Sequence, residues 1–558
     1  MFKKISKFNL FLIGFVLINI LQSIFTPLIP DEAYYYMYSQ NLAWGYFDHP
    51  PMVAYIIKVS SIFFSGELGV RFATVILNAL MTLIIWKLIP EKNKKHPYSE
   101  LLFFTILLSI PLFHVYSFIT TPDAPLLFSF ALYLLALKKS HEKDTFLHAL
   151  FFGLAAALLL YSKYHGGVLI LLSIVFQPHL LKRWTTYLAG FFALLLVTPH
   201  ILWQYQHDFI TFNYHLFQRT DGSFKISQVL EYLSGTWGVL NPALLILLII
   251  FLIKDKNLIP KEYIFYFRMF YAFIAFFFLY SFRGRIEAHW VAAAFIPLSV
   301  VVFNIGITNE KFLKPLKYVT GIVVILIFAL RIIPILDLPI NTPFHSHKKS
   351  YYQEIEKLAA GKDVIFMNSY QHASKYSFYT GKNSFSLNDI YGRKNQYDLL
   401  HPENYFKGKD VFFIHNWKSK SFDSLKMSTG KNLFYKEIAN FPIYSKLDAT
   451  LDFENTPFYK GKTKKITFKI TNPYSYDINF QRADLPYQFG LYFKNESKRK
   501  AVFIQKELPL LKSKDSLLFE VDFPIKDLPV GENKLAIILK AGMLQYQKIG
   551  ESYTVEVR

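Results

Sequence analysis

The stretch PDEAYYYMYSQNLAWGYFDHPP, residues 30–51, lies between two strongly apolar runs of the chain. It places three acidic residues, one histidine and a pair of prolines among many aromatic side chains. An apolar run of about 20 residues is long enough to cross roughly 30 Å of hydrocarbon. The stretch is therefore predicted to be a polar loop that connects membrane-associated segments and stays at the membrane surface.

The composition of the whole chain supports a membrane protein. The chain has 558 residues, of which 53% are hydrophobic and only 18% are charged, which excludes an ordinary soluble protein. It has no cysteine, so disulfides and thiolate metal sites are excluded as well. Apolar stretches long enough to be membrane spans are predicted near 8–28, 67–89, 100–119, 124–137, 146–162, 166–177, 185–203, 233–253, 262–281, 288–307 and 315–336.

Basic residues cluster before the first predicted span and then in alternate loops. The clusters are Lys3, Lys4 and Lys7; Lys92, Lys94 and Lys95; Lys138, Lys139 and Lys143; Lys182 and Arg183; Lys254, Lys256 and Lys261; and Lys311, Lys314 and Lys317. Short loops rich in lysine and arginine stay cytoplasmic, so we expect the amino terminus inside and the carboxyl terminus outside. Much of the net charge of +21 then reflects topology, and nucleic acid is not predicted as a partner.

The composition changes beyond about residue 340, where short alternating strand patterns replace the long apolar runs. The predicted fold class is therefore a membrane all-α region with about eleven helices, followed by an extracytoplasmic α/β plus β-sandwich region. We predict three domains: a transmembrane catalytic domain at 1–338, a small α/β domain at 339–442, and an immunoglobulin-like β-sandwich at 443–558.

Unusual polar residues gather on the predicted outer side of the membrane half. Charged groups are costly at membrane depth, so such residues are functional candidates. Each also has a structural interpretation, as the start of a helix, as a lysine that reaches to the interface, or as packing within an aromatic loop. Carboxylates together with fixed positive charges suit a reaction with an anionic leaving group and a hydroxyl to be deprotonated. The candidates are Asp31, Glu32, Asp48, His49, Asp123, Lys163, Tyr164, Arg283, Arg285, Glu287 and His289.

Several of these segments also carry a resemblance to a known family. The runs DEAYYYMYSQNL, WGYFDHPPMVA, TPDAPLL, YSKYHGG and GRIEAHWVAAAFIPL resemble polyprenyl-phosphate-sugar-dependent glycosyltransferases of the GT-C superfamily. The branch is that of bacterial relatives of protein O-mannosyltransferases and of the lipid A aminoarabinose transferase. The resemblance covers about residues 1–335. It implies inverting transfer of a monosaccharide from a polyprenyl-phosphate donor to an envelope acceptor, with lipid A or another glycolipid favoured over protein, on the outer face of the bacterial cytoplasmic membrane.

The resemblance also implies roles for individual residues. Asp31 matches the first-loop aspartate, the expected general base, and Asp123 matches the second-loop aspartate. His49 stands where many relatives have a lysine that meets the donor phosphate. Because only a protonated imidazole carries positive charge, we expect donor binding to depend on pH near 6.5. Lys163, Arg283 and Arg285 are further phosphate-binding candidates, and the other site candidates are Glu32, Asp48, Tyr164, Glu287 and His289.

The scheme requires no cofactor and assigns no metal ligand. Alternatively, the carboxylates of Asp31, Glu32 and Asp123 could bind a divalent cation. The expected partners are the lipid-linked sugar donor, a glycolipid, polysaccharide or protein acceptor, and membrane lipids. The alternative function is a transporter or flippase of lipid-linked sugars, which would favour internal symmetry and polar groups near the bilayer midplane. An oligosaccharyltransferase and a membrane-anchored binding protein are less favoured alternatives.

Overall fold

The computed structural model describes residues 6–219, 224–336, 344, 348–400, 402–415, 422–495, 498–544 and 546–558. The chain divides into two compact units, Met1–Ser350 and Tyr351–Arg558. Lys3, Lys4 and the predicted domain boundary at 338 lie outside the described residues. The division into three predicted domains stays a prediction.

The first unit is helical. Short 3₁₀ segments occur at Pro178–Lys182, Lys261–Tyr263 and Ala288–Ala294, and a π-helical segment at Tyr214–Gln218. The helices are α1 (Lys7–Phe25), α2 (Pro30–Gln40), α3 (Met52–Phe63), α4 (Gly66–Leu88), α5 (Glu91–Lys94), α6 (Ser99–Leu108), α7 (Pro111–Val115), α8 (Asp123–Glu142), α9 (Phe146–Ser162), α10 (His165–Phe176), α11 (Trp184–Gln206), α12 (Ile210–Asn213), α13 (Ile226–Val239), α14 (Pro242–Lys254), α15 (Ile264–Tyr280), α16 (Phe295–Thr308) and α17 (Glu310–Ile335).

Fewer helices than predicted are long enough to cross a membrane. Within the described ranges, six meet the length and hydropathy expected of a span: α1, α4, α11, α15 and α16 with their leading 3₁₀ segments, and α17. The pair α13 and α14 would make a seventh, but a 93° bend separates them. α3, α6, α9 and α10 are apolar but shorter. The chain is therefore a multi-pass membrane protein, and the predicted count of eleven spans is not confirmed.

Helix α16 lies in the core of the first unit. Every residue from 290 to 306 is buried, so the helix is apolar all round rather than on one face. Its neighbours include α6, α15 and α17, which share one large hydrophobic core with it. In α17, in contrast, only 22% of the most apolar window is buried by the rest of the protein, as expected for a helix that faces lipid.

Helix α2 holds the beginning of the loop quoted above. Pro30 is its first residue, where proline's missing N–H and fixed φ are tolerated, and Asp31 and Glu32 fill its first turn. Carboxylates are favoured there because the helix N-terminus carries partial positive charge. Both acids thus occupy the helix start that the structural interpretation of the sequence expects.

The second unit contains three sheets. The helices that accompany them are α18 (Lys349–Ala359), α19 (Tyr370–Thr380), α20 (Gln396–Leu400) and α21 (Glu403–Phe406). The strands are β1 (Asp363–Met367), β2 (Ser384–Leu387), β3 (Val411–His415), β4 (Asp423–Lys426), β5 (Asn432–Ile438), β6 (Asp448–Asp452), β7 (Thr463–Thr471), β8 (Tyr487–Lys494), β9 (Arg499–Ile504), β10 (Ser516–Pro524), β11 (Gly531–Ala541) and β12 (Gln547–Val557).

The first sheet has the order β2-β1-β3-β5-β4, with β1 parallel to both β2 and β3. The other two sheets, β10-β7-β6 and β12-β11-β8-β9, are antiparallel. Their inner faces meet through aromatic side chains such as Phe493 and Phe523, whose ring centroids lie 6.0 Å apart. This α/β plus β-sandwich arrangement confirms the predicted fold class of the carboxyl-terminal region.

Candidate active site

Asp123 and Lys163 form a buried ion pair in the membrane half. Asp123 begins α8 and Lys163 directly follows α9, so the two antiparallel helices bring both residues to the same end. Lys163 Nζ donates to the two carboxylate oxygens of Asp123 at 2.8 and 2.9 Å. The residues are only 2% and 5% exposed, respectively. The structure therefore brings together two residues that the sequence predicts separately.

A second group of side chains surrounds this pair. His289 Nε2 lies 3.9 Å from Asp123 Oδ2, and the Trp290 ring lies 6.0 Å from Lys163 Nζ. The guanidinium of Arg219 lies 4.5 Å from the centroid of the same Trp290 ring, a cation–π contact. Arg219 follows the π-helical segment Tyr214–Gln218. It is not among the residues predicted from the sequence, because a single arginine between two apolar runs carries no distinctive signal.

The first loop approaches the pair through His49. The imidazole packs edge-on against Tyr35, with ring centroids 5.5 Å apart, and lies 6.2 Å from the His215 ring. The charges of Asp123 and Lys163 both act on His49. The half-buried imidazole is desolvated, and this desolvation lowers the pKa of His49 to about 3, although the neighbouring Asp48 carboxylate opposes the shift.

This pKa corrects the expectation that His49 titrates near 6.5. A neutral imidazole can donate one hydrogen bond to a phosphate oxygen but adds no charge. The adjacent Asp48 is buried and accepts a hydrogen bond of 2.5 Å from the Tyr38 hydroxyl. Its backbone oxygen lies 2.8 Å from His215 Nε2. These contacts fix the polar end of the loop.

Glu32 belongs to a separate buried cluster. Its carboxylate pairs with Arg71 of α4, with Nε–Oε1 and Nη2–Oε2 distances of 2.7 and 2.5 Å. Both side chains are fully buried. Arg71 also donates to the backbone oxygens of Thr26 and Pro27, and Glu32 accepts the backbone N–H of Thr120. Glu32 thus ties α1, α2 and α4 to the segment before Asp123, which is a structural role that the sequence analysis does not predict.

Asp31, the predicted base, is half-buried in the first turn of α2. The charges of Asp31 and Asp123 both act on the buried Tyr116, so the two carboxylates share one neighbourhood. Because Lys163 donates to both oxygens of Asp123, Asp123 is poorly suited to take up a proton. The role of Asp31 as the general base stays a prediction.

Tyr164 belongs to a hydrogen-bond network that connects the first loop to α11. Its hydroxyl lies 3.0 Å from His200 Nε2 and accepts from Gln204 Nε2 at 2.8 Å. His200 Nδ1 lies 2.7 Å from the backbone oxygen of Trp44 in the first loop. Gly45, the next residue, packs so closely on the Trp203 ring that a Cβ would not fit. Tyr164 therefore positions the first loop.

The remaining phosphate-binding candidates lie nearer the surface. Arg283 and Arg285 are both exposed. Arg285 Nε lies 3.6 Å from carboxylate oxygens of both Glu231 and Glu287. The ion pair of Glu287 is thus with Arg285. Whether either arginine meets the donor stays a prediction.

No group of three or more His, Asp or Glu side chains in the described parts of the chain is arranged to hold a metal ion. The alternative divalent-cation role of Asp31, Glu32 and Asp123 stays a prediction. For Glu32 and Asp123, it would have to compete with the existing partners Arg71 and Lys163.

Comparison with known proteins identifies the architecture. A family model described as dolichyl-phosphate-mannose-protein mannosyltransferase matches residues 48–203, a range that contains His49, Asp123 and Lys163. The crystal structure of ArnT from Cupriavidus metallidurans, in the apo state and with undecaprenyl phosphate bound, superposes with a TM-score of 0.53 at 13% identity. The match covers 76% of this chain and 97% of ArnT. The chain therefore has the fold of ArnT.

A curated relative supports the same assignment. The lipid A galacturonosyltransferase RgtD of Rhizobium johnstonii is 26% identical over 246 residues, which is 42% of this chain. The matched region spans 51%, about half, of the length of that relative. The resemblance to GT-C glycosyltransferases that the sequence motifs indicate is therefore confirmed.

Proposed function

We propose that the chain is an inverting glycosyltransferase that moves a monosaccharide from a polyprenyl-phosphate donor to an envelope glycolipid, with lipid A favoured as acceptor. The buried Asp123–Lys163 pair within a GT-C fold is the observation that carries this proposal. The donor class is supported by ArnT, whose structure has undecaprenyl phosphate bound, and the acceptor by the name of RgtD. The amino terminus is cytoplasmic, and the site and the second unit lie on the outer face of the bacterial cytoplasmic membrane.

The proposed chemistry is a single displacement. Asp31 accepts the proton of an acceptor hydroxyl as that oxygen attacks the anomeric carbon. The bond from the anomeric carbon to the phosphate oxygen breaks, and the polyprenyl phosphate leaves with the bonding electron pair. A phosphate needs no protonation to leave, but its negative charge needs stabilisation by preorganised donors.

Three groups supply that stabilisation. Lys163, held by Asp123, and Arg219, held against Trp290, are the cations, and neutral His49 donates a hydrogen bond. Asp123 fixes the position of the Lys163 ammonium and does not itself take the proton. A flippase needs no such arrangement of a base opposite a phosphate site, so the enzyme is the favoured function.

Two measurements test the proposal. Mass spectrometry of envelope glycolipids from cells with and without the gene should show the loss of one sugar mass from lipid A or a related glycolipid. The purified chain, reconstituted with undecaprenyl-phosphate-linked sugars, should transfer the sugar to that acceptor and release undecaprenyl phosphate. Movement of the lipid-linked sugar across proteoliposomes without any transfer would instead establish the flippase.

A pair of arginine variants tests the phosphate site. Arg219→Gln should lower transfer by roughly 100- to 1,000-fold, the scale of losing one charge-stabilising donor. Arg268→Gln serves as the matched control, because Arg268 is exposed on α15, is not a candidate site residue and has no described contact with Trp290. Equal losses in the two variants would remove Arg219 from the proposed mechanism.

A further inference from the structure

The β-sandwich contains a polar cavity that the proposed function does not use. It has a volume of about 440 Å³ and lies where the connection from β6 to β7 passes the first residues of β7. This volume falls within the range of small-ligand sites, about 300–1,000 Å³. Its wall includes the charged side chains of Asp452, Glu454, Lys462, Lys464 and Lys465.

Lys464 is a buried cation in this wall. The residue is 8% exposed, and its Nζ donates to the backbone oxygen and to Oγ1 of Thr456 at 2.5 and 2.9 Å. The rings of Phe458 and Phe453 lie 4.7 and 5.6 Å from the ammonium. No carboxylate of the described residues lies within 4.0 Å of it. The Glu454 carboxylate acts on this ammonium from a greater distance. Because a buried charge is costly without a close partner, an anion that enters the cavity would be stabilised here.

The donor count of Lys464 leads to the same conclusion. An ammonium has three N–H donors, and Thr456 accepts two of them. Lys465, in contrast, is already paired, with its Nζ 2.6 Å from Glu520. Lys464 is thus a wall cation that has a third N–H donor and, among the described residues, no ion pair within 4.0 Å.

The cavity also offers a surface for a sugar ring. Tyr459 is 41% exposed, and the Lys462 ammonium lies 5.2 Å from its ring centroid. The half-buried Phe453 adds a second aromatic side chain to the wall. Aromatic surfaces beside a few polar groups are typical of ligand sites. The carboxylates of Asp452 and Glu454 can accept hydrogen bonds from sugar hydroxyls.

We propose that this cavity binds an anionic sugar, a saccharide unit that carries a carboxylate or a phosphate group. The anionic group contacts Lys464, with Lys462 at the rim, while the ring packs on Tyr459 and its hydroxyls donate to Asp452 or Glu454. The site only binds, and no bond is made or broken there. This goes beyond the proposed transfer reaction, because it gives the second unit its own affinity for acidic envelope glycans.

Binding of free sugars to the full-length chain in nanodiscs tests the site. The probes are galacturonate, glucosamine 1-phosphate, neutral galactose and inorganic phosphate, with affinities measured by titration calorimetry. Both anionic sugars should bind at least tenfold more tightly than galactose, and glucosamine 1-phosphate more tightly than inorganic phosphate. Equal binding of galactose would overturn recognition of the anion, and equal binding of inorganic phosphate would overturn recognition of the sugar. No glycosyl donor is present, so failure here is distinct from failure of the transferase proposal.

Variants locate the binding. Lys464→Met keeps an apolar side chain against the Phe453 and Phe458 rings. It should lower the affinity for both anionic sugars at least tenfold. Tyr459→Ala should lower the affinity for both anionic sugars severalfold, while the affinity for inorganic phosphate should stay unchanged. Lys460→Gln is the matched control, since Lys460 is exposed and lies outside the wall. If Lys464→Met does not fold, Lys462→Gln at the exposed rim should still weaken binding. Unchanged affinities in folded Tyr459→Ala and Lys462→Gln variants would overturn the proposal.

Discussion

Lys163→Met is expected to destabilise the membrane half strongly. The side chains of Lys163 and Asp123 are 7% and 3% exposed, so solvent cannot replace the lost partner of the carboxylate. His289, 3.9 Å away, is too distant for a hydrogen bond. Breaking a buried ion pair by removing one partner costs about 3–5 kcal/mol, because it leaves an uncompensated charge. Asp123→Asn should be destabilising for the same reason, since it leaves the ammonium unpaired.

The double variant Asp123→Asn/Lys163→Met separates stability from chemistry. It removes both charges, so its loss of stability should be smaller than the sum of the two single losses by about 1–3 kcal/mol. Transfer should not recover with stability, because under the proposed mechanism the phosphate still lacks the Lys163 ammonium. Stability is measured by denaturant unfolding of the protein in detergent, and transfer with an undecaprenyl-phosphate-linked sugar.

Lys58→Met is the matched control for this cycle. Lys58 is an exposed lysine on α3, and its replacement should change stability by no more than about 0.5 kcal/mol. Strictly additive losses in the double variant would show that Asp123 and Lys163 do not act as a pair. Recovery of transfer together with stability would show that the pair is structural only.

Four further results are expected. Asp31→Asn should lower transfer by roughly 100-fold or more in a folded protein, as measured with purified enzyme, because it removes the proposed base. Glu32→Gln should reduce stability by about 3–5 kcal/mol by leaving Arg71 buried and unpaired, with unfolding midpoints as the measurement. Burial lowers the pKa of His49 to about 3, so His49 binds its proton in the unfolded chain before it does so in the folded chain as the pH falls from 6.5. The free energy of unfolding of the parent should therefore decrease between pH 6.5 and pH 3, and that of His49→Gln should decrease less over the same range. A periplasm-active reporter fused after Arg558 should be active, whereas an active cytosol-only reporter would contradict the proposed orientation.

The sequence predicts the long spans well and the broken ones poorly. The predicted spans at 67–89 and 185–203 coincide closely with α4 and α11, because a long uninterrupted apolar run permits few alternatives. The run at 100–119 is instead divided into α6 and α7, with Pro111 as the first residue of α7. Proline lacks the backbone N–H donor that would continue the hydrogen bonding of α6. Hydropathy alone does not predict this break, because it measures only how apolar a segment is.

Hydropathy also does not distinguish lipid from protein surroundings. α16 has the same apolar composition as a lipid-facing helix, yet 89% of its most apolar window is buried inside the protein. The sequence therefore places the helix correctly but not its neighbours. The same limit applies to Arg71, which lies within the predicted span 67–89. A charged residue in an apolar span is a signal in itself, and it would have indicated a buried partner such as Glu32.

The position of His49 shows how a site can keep its chemistry while one residue type changes. If the first loop of relatives supplies a lysine, a neutral histidine here removes one positive charge from the proposed phosphate site. The Lys163 charge is compensated by Asp123, so it cannot make up that loss alone. Arg219, stacked on Trp290 beside the pair, is a cation brought in from a different part of the chain. Because an arginine stays protonated at all relevant pH values, the proposed site would hold the donor phosphate without the pH dependence that a titrating His49 would impose.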